Sequence, residues 1–322
     1  MVAAEYRPLV SIIIPTCNEE KDIARTMSAL AAFTYRPLEV IVVDASQDRT
    51  PEIVRSFIGH VPGLRIVSQG NKPGVSVARN VGLREAKGEI VVILNADVFP
   101  DPDFIDRILP HYREGADYLL VQSQVANIHE GVFPRFIQAQ HMYKMEHYFE
   151  QEAHWTEGFS CRREAALAVG GFPEEFGRNS AGEDVIFGER LAASYRRVVD
   201  LSIVVKHVMP TTFPEYWRQR FGRGRGGAYR LYAFEKRPMR WGAILWSVLG
   251  TLAFMMTLFP VVRYAGWLTA YSPRGRRDWL PFTWARIIEL VTRALGYLDG
   301  CLDIAHERRE VAAQQERTAI LE

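Results

Sequence analysis

Four short strand-like runs, Leu9–Ile14, Glu39–Val43, Leu64–Val67 and Glu89–Leu94, constrain this chain more than any other feature. Each is too short for a helix and rich in apolar residues, and Glu89–Leu94 has the pattern of a strand covered on both faces. Helical patterns fill the gaps. Residues 19–33 place Ile23, Met27, Leu30 and Ala31 on one face. A second helix carries Pro51 in its first turn behind Asp48 or Thr50 as cap, and a third covers 76–86 and closes at Gly88. Strand–helix alternation of this kind requires parallel strands joined by crossover helices, hence a doubly wound α/β sheet.

The runs end on polar residues. The first stops at Pro15-Thr16, the second at Asp44, and the fourth passes through Leu94 into Asn95-Ala96-Asp97 before Pro100 and Pro102. In a parallel sheet these ends share one edge, and open α/β sheets bind ligands in the crevice beyond it. An Asp there can also cap a turn, so Asp97 alone leaves both readings open. Lys72 and Arg79 lie on the connection that returns to the same edge. Carboxylates and cations together suit a nucleoside diphosphate held with a divalent ion, with Asp44 accepting a base N–H.

The second half is less regular. Val132–Glu152 reads as a helix rich in aromatic residues. Residues 157–176 read as a turn, a short helix and a Gly-Gly break, and 182–195 as a helix with Glu183 and Asp184 in its first turn. Val198–Val205 is a further strand, ending at Lys206-His207. Residues 241–262 then carry no charge, a length sufficient to cross a bilayer core, with Trp241, Trp246, Tyr264 and Trp267 suited to its interfaces. A buried helix, apolar all round, is the other reading. Basic residues on both flanks favour a re-entrant or interfacial form over a span. An amphipathic helix over 281–298, with Arg286 and Arg293, would then lie on the inner membrane surface. The charged tail from His306 is expected to fray. The expected domains are therefore 1–235, catalytic, and 236–322, membrane-associated.

Taken in order, "VSIIIPTCNEEKDIARTMSAL", "VIVVDASQDRT", "NKPGVSVARNVGLREAKGEIVVILNADVFPDPDFI" and "GGFPEEF…GEDVIFGERL" resemble the inverting family-2 glycosyltransferases of GT-A fold, over roughly residues 8–230. The resemblance implies a Rossmann-like, mainly parallel sheet with flanking helices, and transfer of a sugar from a nucleotide sugar with inversion. It implies a divalent metal, Mn²⁺ or Mg²⁺. Pro15, Thr16 and Glu19 would frame the nucleoside, Asp44 read the base, and Arg79, with Lys72, meet the diphosphate. Asp97 matches the last Asp of the family's Asp-x-Asp motif and is the implied metal ligand. Asn95 replaces the first; it can still accept a ribose hydroxyl but removes one negative charge. Arg49 stands where the family usually has Gly after the second motif's Asp. Asp184 matches the catalytic base, with Glu183 as the competitor one residue away; the plain alternative is a charged helix N-terminus. His207 falls where several relatives carry a metal-binding His, or it is a polar turn residue.

"WRQRFGRGRGGAYR" gathers Arg218, Arg220, Arg223 and Arg225 among glycines. Nucleic-acid binding, a juxtamembrane lipid anchor and the family's diphosphate-closing segment compete for it. The preferred reading puts Arg220 on the diphosphate and the flanking arginines on lipid. The Gln-x-x-Arg-Trp form of processive synthases is absent, since Trp217 and Phe221 take the Gln and Trp places. Gly158 and Ser160 would lie by the sugar. Cys161 beside them lacks a His partner and is not assigned as a nucleophile.

A net charge of +1 gives no general case for nucleic acid, and none is expected as a partner. Three widely spaced cysteines and an N-terminus without a secretory h-region suggest a reducing compartment. The expected location is the inner (cytoplasmic) membrane, with the catalytic domain in the cytoplasm. A UDP-sugar donor is favoured, with a lipid-linked or saccharide acceptor. Two other classes remain. A sugar nucleotidyltransferase would want a basic, Gly-rich turn after the first strand, where "PTCNEEKD" is acidic. A catalytically degenerate binding protein of the same fold has only Asn95 in its favour.

Overall fold

The computed structural model describes residues 6–152, 156–176, 181–256 and 258–321. The first half alternates as the sequence predicts: β1 (Val10–Thr16), α1 (Ile23–Ala31), β2 (Leu38–Asp44), α2 (Thr50–Arg55), β3 (Leu64–Ser68), α3 (Val75–Glu85) and β4 (Ile90–Ile93). There follow β5 (Val98–Pro100), α4 (Phe104–Arg113), β6 (Tyr118–Val125), α5 (Val132–Glu152), β7 (Phe159–Arg162), α6 (Arg163–Ala168), α7 (Glu183–Ala192) and β8 (Arg197–His207). The C-terminal part is helical: α8 (Phe213–Ala228), a π-helical turn over Tyr229–Phe234, α9 (Trp241–Met256), α10 (Phe259–Leu268) and α11 (Trp279–Leu321).

The eight strands form one sheet in the order β3-β2-β1-β4-β7-β6-β8-β5. The pairs β3-β2, β2-β1 and β1-β4 are parallel, β7 is antiparallel to both neighbours, and β6 runs parallel to β8. Strand alternation explains the unbroken apolar runs. Ile12, Ile14, Val40, Val42 and Val92 face a layer with α1 and α4, whereas Ile13, Ile41, Val43, Val91 and Ile93 face α3, α6 and α7. Both sets are fully buried, which favours apolar residues on either face; buried Ser11 is tolerated because its hydroxyl donates to Glu39 Oε1 and accepts from Gly88 N–H.

The chain divides into two compact units. The first comprises Met1–Asn127, Tyr148–Glu174 and Glu183–Met209, and the second Ile128–His147, Glu175–Gly182 and Pro210–Glu322. The division differs from the expected boundary at 235 because α8 packs on α11. A Cβ on Gly224 would collide with the Arg293 carbonyl, and one on Gly296 with the Phe221 carbonyl. The glycines of the Arg-Gly run therefore let two helix backbones approach. Further expectations change. The uncharged run is two helices, interrupted at Leu258, whose φ is 52°. The amphipathic helix does not stop at 298, and the tail from His306 continues α11 to Leu321. Residues 159–162 are a strand rather than a turn, and β5 and β6 are additional.

Candidate active site

The parallel register sets Thr16 beside Asp44, and the Thr16 hydroxyl donates to Asp44 Oδ1 at 2.7 Å. Pro15 pairs with Val43 one step earlier. The next turn is held by backbone donors: Glu19 N–H to Thr50 Oγ1 at 2.8 Å and Glu20 N–H to Asp48 Oδ2 at 3.2 Å. Asp48 also accepts from Thr50 N and Oγ1, so it organises the α2 start. Arg49 has φ −79°, a region open to any residue, which is why this turn does not need glycine. Glu19 is raised to about 7, first by burial and then by the negative charge of Asp97.

Asp97 does not cap its own turn. Its Oδ2 meets His207 Nε2 at 3.1 Å, and Val208 N–H donates to its carbonyl, where β5 pairs with the end of β8. His207 is buried, not an exposed turn residue, and its Nδ1 faces Glu157 Oε1 at 3.4 Å. Burial opposes the imidazolium, but the two carboxylates outweigh it and raise the group to about 10. Glu157 is the residue that sequence reasoning missed. It precedes Gly158, whose φ is 73° and whose Cα lies against Val121 and Val205. A glycine flanked by an acidic residue and a strand was the available signal.

Arg79 is a buried hub. Its Nη1 donates to Glu183 Oε1 at 2.6 Å, and its Nη2 to Thr156 Oγ1 at 3.0 Å and Asn95 Oδ1 at 3.2 Å. Its guanidinium lies 5.0 Å from the Phe172 ring centroid. Arg79 and Asn95 thus come together, but Arg79 is only 3% exposed and its charge is met by Glu183. Lys72 is exposed and paired with Glu174, whose carboxyl is lowered by bonds from Asn80 and Lys72.

Asp184 lies in the first turn of α7, half-buried, with Oδ1 accepting from Val185 N–H at 2.9 Å. Burial and the neighbouring charge of Glu183 raise it to about 7, against the pull of Arg79. The two carboxylates are therefore unlike: Glu183 is tied to a guanidinium, and Asp184 can exchange a proton near neutrality. That difference suits Asp184 to a general base.

Three expected positions lie elsewhere. Arg220 belongs to the second unit, is fully buried, and has its Nη1 3.4 Å from Glu289 Oε1 with the Tyr216 ring beside it. It presents no surface to a diphosphate. Arg225, expected on lipid, pairs with Asp299 and Asp303. Ser160 is buried and accepts from Tyr112 Oη at 2.8 Å, so it faces the core rather than a sugar. Burial also pushes the Cys161 thiol far up, which keeps it unreactive.

Asp97 and His207 are the donors a divalent ion would meet here, but the ion would have to displace the proton that Asp97 and Glu157 favour on His207, whose Nε2 lies at hydrogen-bond distance, 3.1 Å, from Asp97 Oδ2. Among the described residues no group of three or more His, Cys, Asp or Glu side chains is arranged to hold a metal. Two protein ligands with the rest from phosphate and water is the usual composition for an ion shared with a nucleotide.

The family model "Glycosyl transferase family 2" matches residues 11–168, and "Glycosyl transferase family group 2" matches 90–285, more than half the chain. Glycosyltransferase AglE of Haloferax volcanii is 37% identical over 103 residues, 31% of this chain and 34% of that protein. Beta-monoglucosyldiacylglycerol synthase of Synechocystis is 28% identical over 255 residues, 73% of this chain and 52% of that protein. The chain thus spans about a third to a half of these relatives. Among solved structures, mannosyltransferase PcManGT of Pyrobaculum calidifontis, in complex with GDP-Man and Mn²⁺, aligns with TM-score 0.54 and 20% identity over 96% of this chain and 81% of that one. TarS 1-349 of S. aureus, in complex with UDP-GlcNAc, aligns with TM-score 0.50 and 17% identity over 89% and 90%. These likenesses support the GT-A fold, and with that model across more than half its length the chain belongs to glycosyl transferase family group 2.

Proposed function

We propose that the protein transfers a sugar from a nucleotide-sugar donor to a hydroxyl acceptor with inversion at the anomeric carbon. The observation that carries this reading is the unlike pair Glu183 and Asp184, one locked to Arg79 and one raised toward neutrality. Asp184 takes the acceptor proton as the hydroxyl oxygen attacks the anomeric carbon. Glu183 and Arg79 hold the start of α7; burial and the Glu183 charge keep Asp184 basic enough to act, and Arg79 limits that rise. Thr16, Glu19 and Asp44 frame the nucleoside, Asp44 accepting a base N–H. Asp97 and His207 hold Mn²⁺ or Mg²⁺, which when bound stabilises negative charge on the leaving diphosphate. Asn95, fixed by Arg79, offers a polar side chain toward the ribose.

UDP-sugar is our preferred donor, since Asp44 accepts a uracil N–H; GDP-Man in a solved relative keeps GDP-sugar as the competitor. A lipid-linked acceptor is supported by the names of two relatives, the diacylglycerol synthase and a glucosyl-dolichyl phosphate glucuronosyltransferase of Haloferax volcanii, 25% identical over 180 residues. We place the protein at the inner membrane with the first unit in the cytoplasm.

Donor hydrolysis across UDP- and GDP-sugars, with and without Mn²⁺, tests the reading. Turnover that requires Mn²⁺ and disappears in Asp97→Asn is expected. Wild-type turnover by Asp97→Asn would remove that residue from the metal site, and no turnover of any donor would favour a degenerate binding protein.

A further inference from the structure

The uncharged helix α9 is held to the protein along a narrow line. Of its described side chains only Ile244 is buried, whereas Trp246 is 78% exposed, Leu249 59% and Leu245 48%. The exposure continues beyond the break: Phe259 in α10 is 69% exposed, and Leu280 at the start of α11 is 76% exposed. Trp279 Nε1 donates to the Val262 carbonyl at 2.9 Å, which ties the start of α11 to α10 while leaving its ring half exposed. Large exposed apolar side chains thus recur on α9, on α10 and at the start of α11, and exposed apolar area of this kind marks a binding face.

Charge identifies what covers it. Residues 236–277 contain Lys236, Arg237, Arg240, Arg263, Arg274, Arg276 and Arg277 and no Asp or Glu. Arg263 lies 4.6 Å from the centroid of the Trp267 ring, a cation and an indole side by side. Arg237 meets Glu235 at 2.7 Å and Arg274 lies 3.9 Å from Asp278, but the excess on this part of the chain is still basic, so two copies meeting through this face would repel. Tryptophans with arginines around an apolar face are instead the composition of a surface that sinks to the headgroup level of an anionic leaflet.

Length decides the form. The 16 residues of α9 rise about 24 Å at about 1.5 Å each, short of the roughly 30 Å hydrocarbon core. The chain then turns at Leu258 into α10, which carries Arg263. Among the described residues no helix is long and apolar enough to cross a membrane.

We infer that the outer face of α9 and α10, with the start of α11, docks in the plane of one leaflet of an anionic membrane. This gives a form to the membrane attachment proposed above and is independent of the transfer chemistry.

Flotation of the full chain with phosphatidylcholine vesicles, and with phosphatidylcholine–phosphatidylglycerol vesicles, tests it. The protein should float with the anionic vesicles and much less with the neutral ones. Trp246→Glu with Leu249→Glu should reduce flotation at least about tenfold, and Arg274→Gln with Arg276→Gln and Arg277→Gln should weaken it. Mn²⁺-dependent donor hydrolysis should be unchanged in both variants, so loss of flotation and loss of chemistry are separate results. Equal flotation with neutral vesicles, or flotation unaffected by the double Glu variant, would overturn the inference. So would a dimer of the wild type that the double Glu variant dissolves, or cleavage after Arg276 from the far side of sealed vesicles, which would mean a span.

Discussion

The two units use charge in opposite ways. In the first, charged groups arrive from strand ends and from the start of a helix, and their needs are only partly met. Glu183 Oε2 is buried without a hydrogen-bond partner, Asp184 and Glu19 are pushed toward neutrality, and the Asp97 side chain is 32% exposed beside a buried His207. In the second, charges pair between helices away from any strand edge, although the three guanidinium nitrogens of buried Arg220 make no hydrogen bond. Arg135 donates to both oxygens of buried Asp278 at 2.7 and 3.0 Å. Glu289 accepts from Gln140 at 2.8 Å and Arg286 at 2.7 Å and neutralises Arg220. Under-satisfaction alone does not mark a site, since Arg220 shares it while sealed from solvent; a charged residue is poised for chemistry where it also sits at a convergent, partly exposed edge, and an Arg-rich segment by itself signals nothing of the kind.

The sharpest way to break this comparison is Asp184→Asn. Transfer should fall by about 10²–10⁴-fold, the usual worth of a positioned base, with donor binding retained. Glu183→Gln should cost less in turnover; the reverse order, read by initial rates, would make Glu183 the base. Asp184→Asn should not lower the Tm. The native group is raised above its unfolded value, so the folded state binds the extra proton and its stability falls as pH rises from about 4 to about 7.

Next in size is Glu289→Ala in the second unit. It strands Arg220, and breaking a buried pair typically costs about 3–5 kcal/mol. Thermal unfolding should show the loss. If instead the fold were kept and nucleotide binding lost, Arg220 would belong to the donor site after all. Glu289 itself is lowered to about 2, because Arg220 and Arg286 overcome the opposing effect of burial. Its contribution is complete above about 4.5 and is lost only as pH falls through about 2, so acid unfolding of this unit should begin late.

Gly296→Ala should destabilise by about 1–3 kcal/mol through its clash with the Phe221 carbonyl, while exposed Gly242→Ala should not. Equal Tm values for the two variants would refute the close approach of α8 and α11. The smallest effect concerns pH. Transfer should rise by less than about tenfold between pH 6 and 8 as Asp184 ionises. A flat profile would mean that another group limits the reaction.

Sequence pattern alone determined the strand–helix alternation, the double burial of β4, and the convergence of Thr16, Asp44, Asn95 and Asp97 at one edge. Those features follow from local periodicity and the geometry of parallel strands, which any such sequence must obey. Tertiary structure decided the partners. That Arg79 locks Glu183, that Glu157 faces His207, and that Arg220 is sealed against Glu289 depend on residues 50–104 positions apart. The glycines of α8 likewise take their meaning from α11, and the uncharged run becomes a surface only because the chain turns at Leu258. Charge compensation and backbone approach are long-range properties, and a linear pattern records which groups are available without recording which of them meet.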